Sequence, residues 1–160
     1  MEIVVFYIGV FFLLRWFWRI ARAVKDLSWG TKVTTDRYGP KGTVWALVTG
    51  ATDGIGKAIV FELAARGFNV VLVSRSIEKL SATAKEIKEK NPGVQTRTLV
   101  MDFTEDTSVS AYQSLAKRVN DIDIGVLVNN VGVAVPFENT PQSTYKEIAC
   151  NCYPIVLLTQ

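Results

Sequence analysis

From Thr43 onward the chain alternates between short, mostly apolar runs and longer stretches of helical periodicity. This alternation restricts the fold more than any other feature. Thr43–Thr49, Asn69–Ser74, Gln95–Asp102 and Ile124–Asn129 read as strands. Ile55–Arg66 places Ile55, Ile59, Val60, Leu63 and Ala64 at helical spacing, with Gly67 following as a C′ glycine. Ile77–Lys90 reads as a polar-faced helix stopped by Asn91-Pro92-Gly93. Glu105–Val119 reads as a third, with Glu105 and Asp106 expected in its first turn and Lys117 and Arg118 in its last. Thr140 or Ser143 is suited to cap a last helix running toward Gln160. Apolar strands need cover on both faces, so they pair in parallel, and right-handed crossovers place helices on both sides. The expected fold class is α/β: the N-terminal part of a Rossmann-like doubly wound parallel sheet of four strands, over residues 43–160.

In such a sheet ligands bind beyond the C-terminal ends of the strands. The stretch VTGATDGIGKA, Val48 to Ala58, lies there, after the first strand. Gly50 permits a tight turn. Gly54 and Gly56 let the backbone approach a pyrophosphate and the following helix pack close to the strand, with free N–H groups facing the phosphates. Asp53 is an awkward neighbour for a phosphate, and its carboxylate is expected to turn aside and cap the helix. About 20 residues on, a dinucleotide site carries a discriminating residue. Arg75, in VSRS, occupies that place. An acid there would bond a ribose 2′-hydroxyl, whereas an arginine suits a 2′-phosphate through forked, charge-assisted bonds. The expected cofactor is NADP(H). Asp102 and Asn129, at the ends of the third and fourth strands, converge on the same edge.

The composition removes several alternatives. The 160 residues contain no histidine, which excludes a Ser-His-Asp triad, a histidine-ligated metal and an imidazole base within this chain. The two cysteines, Cys150 and Cys152, cannot alone close a structural zinc site, and no metal site is expected. They read as reduced thiols on a helix. The net charge is +3, but the basic residues form no stripe and no nucleic-acid motif is present, so no nucleic-acid partner is expected.

Residues 1–25 are different in kind. Ile3 to Leu14 is wholly apolar, and Trp16-Phe17-Trp18 extends the run past Arg15. The stretch is marginal against the ~20 residues that cross a bilayer. Its start lacks the basic region of a signal peptide. A membrane-spanning anchor helix is expected. An in-plane anchor is the alternative, because Arg15, Arg19 and Arg22 share one helical face. Either way the positive charges follow the apolar run and place the later domain in the cytosol. Residues 26–42, with Gly30, Gly39, Pro40 and Gly42, read as a linker.

TGATDGIG resembles the cofactor fingerprint of the short-chain dehydrogenases/reductases, and further pieces agree in order. Asp102 in VMDF matches the acidic residue that contacts adenine in that family. Asn129-Asn130-Val131-Gly132 resembles its N-N-A-G motif, with valine for alanine. Asn151 falls where the family keeps an asparagine that helps hold a water in the proton relay. The resemblance implies cofactor contacts from Gly50, Thr52, Asp53, Gly54, Ile55, Gly56, Ser74, Arg75, Asp102, Phe103, Asn129, Asn130, Val131 and Gly132, and a catalytic role for Asn151. YGPKGTVWALVTGATDGIGKA, VVLVSRSIEKL and LVNNVG, after a hydrophobic N-terminus, are similar to the group of very-long-chain 3-oxoacyl-CoA reductases and type 12 17-beta-hydroxysteroid dehydrogenases. That likeness implies an endoplasmic reticulum membrane protein reducing acyl-CoA or steroid ketones with NADPH, and the family's usual homodimer in the complete enzyme.

The chain also departs from the family, whose chemistry uses a serine and a Tyr-x-x-x-Lys pair. No tyrosine of these residues has a lysine four positions on. The expectation is therefore the cofactor-binding portion of a reductase, inactive as given, with its fourth strand left as an apolar edge. The alternative is a shortened, membrane-anchored nucleotide-binding or interaction protein.

Overall fold

The computed structural model describes residues 2–28, 42–134 and 140–159. Two units divide the chain, Met1–Thr34 and Thr35–Gln160. Within the first, α1 runs Glu2–Ser28 as one helix. It includes Asp26, Leu27 and Ser28, which were expected in the linker; the rest of that linker, through residue 41, lies outside the described residues. Phe11, Phe12, Leu13, Leu14, Trp16, Phe17 and Trp18 are all exposed on α1. The Arg22 guanidinium sits 4.9 Å from the Trp18 ring centroid. Among the described residues no helix is long and apolar enough to cross a membrane.

The second unit is the expected alternation. Its elements are β1 (Trp45–Thr49), α2 (Gly54–Ala65), β2 (Asn69–Ser74), α3 (Ile77–Lys90), β3 (Thr96–Val100), α4 (Val109–Lys117), β4 (Ile124–Val128) and α5 (Pro141–Leu157). The four strands form one parallel sheet in the order β3-β2-β1-β4. The direction of winding therefore reverses between β1 and β4, and a cleft opens at that reversal.

Alternate side chains of the strands feed two cores. Val44, Ala46, Val48, Val70 and Leu72 pack with Val60, Ala64, Leu80 and Ile87 from the inner faces of α2 and α3, and with Phe68 from the connection before β2. Trp45, Leu47, Val71, Val73 and Leu99 pack with Phe103, Tyr112, Leu115 and Cys150 on the other side. Each fully buried Val, Leu or Phe contributes about 1.5–3 kcal/mol by leaving water. An exposed ion pair contributes about 0–1 kcal/mol, and pairs such as Lys79–Asp53 and Arg66–Glu62 are largely exposed. Apolar burial on both faces, not surface charge, holds the sheet. The Tyr112 hydroxyl is buried without a partner among the described residues. Loss of hydration pushes its pKa up to about 12.

Helix boundaries follow local chemistry. Gly67, at φ +89°, succeeds the Arg66 C-cap of α2. Thr140 and Ser143 together make the capping box of α5. The third helix corrects the expectation. It begins at Val109, where Ser108 Oγ accepts from the Ala111 N–H, so Glu105 and Asp106 precede it. Those two residues instead close a turn around Asp102. Their N–H groups bond the Asp102 carbonyl, and the Asp106 carboxylate accepts from the Asp102 N–H. Asp102 recruits these local donors and acceptors before a helix can form.

Candidate functional site

The glycine turn is shaped by contact rather than by freedom alone. Gly50 adopts φ +66°, and a Cβ there would lie 2.9 Å from Asn130 Nδ2. At Gly56 a Cβ would lie 2.3 Å from the Gly50 carbonyl oxygen. Only glycine at both places lets the first turn of α2 sit against the end of β1. Asp53 caps α2 as expected, its Oδ1 accepting from the Gly54 N–H at 2.8 Å. That bond and the Lys79 ammonium hold its carboxyl below the usual carboxylate range.

One buried hydroxyl ties the loops after β1 and β4 together. Thr49 Oγ1 donates to the Val128 carbonyl at 3.3 Å and accepts from the N–H groups of Asn130 at 3.0 Å and Val131 at 3.1 Å. Asn130 Nδ2 returns bonds to the carbonyls of Thr49 and Gly50. Thr49→Val keeps the shape but strands two N–H groups. It is expected to cost about 2 kcal/mol, read as a lower urea midpoint with an unchanged slope; a neutral result would show that the brace carries no load.

The cleft at the reversal has a volume of about 510 Å³, within the ~300–1,000 Å³ range of small-ligand sites. Gly50, Thr52, Asp53 and Gly54 form its floor, and Asn130, Val131 and Gly132 come from the loop after β4. Ser74 and Arg75 approach from the end of β2, Asp102 and Phe103 from beyond β3. The Thr52 and Ser74 hydroxyls are 2.9 Å apart. Thr104 binds Asp102 Oδ1 through both its hydroxyl (2.7 Å) and its N–H (3.0 Å), which lowers the Asp102 pKa, with Arg75 adding to the effect. Eleven of the fifteen expected site residues thus meet around one cavity.

Four do not line it. Ile55 is exposed outside it, and Gly56 is packed beneath Gly50. Asn129 Oδ1 is buried without a partner among the described residues. Asn151 is committed elsewhere: its side chain accepts from the Val133 N–H and donates to the Val133 carbonyl, both at 2.9 Å. It therefore pins the strand exit behind Gly132. Ser76, Lys79, Met101, Thr104, Val133 and Cys150 also line the cleft, unforeseen from the sequence. Cys150 is a free thiol whose pKa burial pushes up, while Cys152 is free and exposed, both on α5 as expected. Among the described residues no cluster of side chains could hold a metal.

A doubly wound parallel sheet with a glycine turn under its switch-point cleft defines a dinucleotide-binding half-fold. The chain belongs to the short-chain dehydrogenase family, whose model matches residues 44–160. It is 48% identical over 128 residues to the very-long-chain 3-oxoacyl-CoA reductase of Coccidioides immitis, covering 77% of this chain and 36% of that protein. It is 38% identical over 157 residues to the enzyme of that description from Emericella nidulans, covering 95% of this chain and 45% of the relative. Among solved structures it is similar to L-sorbose reductase from Gluconobacter frateurii complexed with NADPH and L-sorbose. The TM-score is 0.63 at 27% identity, over 76% of this chain and 46% of that one. The chain spans less than half the length of these proteins.

Proposed function

We propose that this chain is the cofactor-binding portion of an NADPH-dependent reductase acting on a 3-oxoacyl-CoA of fatty-acid elongation or on a steroid ketone. The observation that carries the cofactor is Arg75. It stands at the end of β2 on the wall of the cleft, where a guanidinium meets a ribose 2′-phosphate. The acyl-CoA arm is supported by the identity to very-long-chain 3-oxoacyl-CoA reductases. The steroid arm rests on resemblance alone.

In this reading the α2 N-terminus and the Gly50–Gly54 backbone receive the pyrophosphate. Asp102 and Phe103 flank the adenine, and Asn151 supports the loop that approaches the nicotinamide side. NADPH supplies the hydride when bound. The Tyr-x-x-x-Lys pair that protonates the product alkoxide in the family is not in these residues, so the chain by itself is proposed to bind cofactor without turnover.

Helix α1 is proposed to attach the protein to the endoplasmic reticulum membrane with the nucleotide-binding unit in the cytosol. Its exposed Phe and Trp side chains suit acyl chains and the interface, while Arg15, Arg19 and Arg22 suit lipid phosphates. Acyl-CoA or steroid substrate and a homodimer belong to the complete enzyme.

Titration of the purified chain with NADPH, followed by nucleotide fluorescence, is expected to saturate without ketone-dependent oxidation. A flat titration would remove the nucleotide-binding reading, and ketone-dependent turnover would remove the claim of inactivity.

A further inference from the structure

The cleft wall beside Arg75 carries a second cation and an anion that hold one another. Lys79 and Asp53 both line the cavity, and Lys79 Nζ lies 3.3 Å from Asp53 Oδ2. The two come from different elements: Asp53 caps α2, and Lys79 lies in the first turn of α3. The Lys79 side chain is 61% exposed and that of Asp53 84%. A pair so open to water is held only weakly, so it exchanges readily for a stronger partner. Asp53 keeps its second oxygen on the Gly54 N–H when the lysine leaves. Arg75, by contrast, makes no ion pair among the described residues.

We propose that Lys79 is a second ligand of the cofactor's 2′-phosphate and that Asp53 is its resting partner. Binding exchanges the carboxylate for the phosphate. This rests on the reading of Arg75 as the mark of the 2′-phosphate side. A phosphomonoester carries about −1.5 to −2 charges at neutral pH, against one on Asp53. It also offers three acceptor oxygens to a flexible ammonium and a planar guanidinium together. A cofactor without the 2′-phosphate offers nothing to draw Lys79 away, so the pair stays closed. Lys79 thus adds selectivity between the two nicotinamide cofactors that Arg75 alone would not supply, and opening its pair with Asp53 takes back part of that gain. It also explains how an aspartate is tolerated within a phosphate-binding turn.

The test is a double-mutant cycle on the full chain, titrated with NADPH, NADH, 2′,5′-ADP and 5′-AMP. Lys79→Met is expected to weaken NADPH and 2′,5′-ADP about tenfold, the loss of one charge-assisted contact, and to leave NADH and 5′-AMP within about twofold. Asp53→Asn keeps a capping oxygen and frees the lysine, and should tighten NADPH about threefold. In the Lys79→Met background the same change should do nothing. Equal weakening of both cofactors by Lys79→Met would overturn the proposal, since a structural contact would act on both. Tightening by Asp53→Asn that persists without Lys79 would also overturn it, because Asp53 would then act on the phosphate by repulsion alone. If selectivity is lost in Arg75→Asp but intact in Lys79→Met, the exchange fails and the cofactor reading stands. If the unmodified chain binds NADPH and NADH equally, both fail.

Discussion

Gly56→Ala is expected to destabilise the nucleotide-binding unit by about 3 kcal/mol and to abolish saturable NADPH binding. The added methyl would lie 2.3 Å from the Gly50 carbonyl oxygen and 2.4 Å from Asn130 Nδ2. The first obstacle is backbone, so no rotamer change relieves it. Either α2 retreats from the end of β1, or the Gly50 turn opens, and both disperse the N–H groups that would meet the pyrophosphate. Gly54 provides the control. It adopts φ +50° with open space around its missing Cβ, so Gly54→Ala should cost only the left-handed strain of about 1–2 kcal/mol. Equilibrium urea unfolding of both variants decides the point. A Gly54 variant as damaged as the Gly56 variant would mean that loop strain, not helix approach, governs the turn.

Arg75→Asp carries the second large effect. Replacing a forked donor with a carboxylate removes charge-assisted bonds worth about 1.5–3 kcal/mol and adds repulsion, so NADPH should weaken about a hundredfold. NADH, with no 2′-phosphate, should change by about threefold or less. The measurement is the ratio of the two dissociation constants at fixed salt. Equal losses for both cofactors would show that Arg75 shapes the end of β2 without meeting a phosphate.

Features settled by neighbouring residues are legible in the sequence, and those settled by packing are not. β2 and α3 lie where the apolar run and the helical period put them, because the apolar Val70–Val73 run marks the strand and Asn91-Pro92-Gly93 stops the helix. α4 starts later than its acidic residues suggest, because Glu105 and Asp106 serve the Asp102 turn, a competition that dipole preference does not encode. The glycine turn, Arg75 and Asp102 were legible because strand ends in a doubly wound sheet share one edge. Lys79 and Cys150 were not, since each reaches the cleft from a helix whose rotation is set only when it packs on the sheet. Asn151 shows the reverse case. Its place in the chain was readable, but its bonds to Val133 follow from how α5 crosses the strand exit.

The Thr49 brace has a consequence for the order of assembly. Its partners lie 79 to 82 positions further along the chain, so it closes across α2, β2, α3, β3 and α4. Contacts of such separation bear the largest loop-closure entropy and consolidate late. The β1–β2 pairing, separated by far less chain, can precede it. A growing polypeptide therefore possesses its glycine turn long before the residues that square it for a nucleotide have emerged, and nucleotide capture becomes a report that the β4 strand has docked.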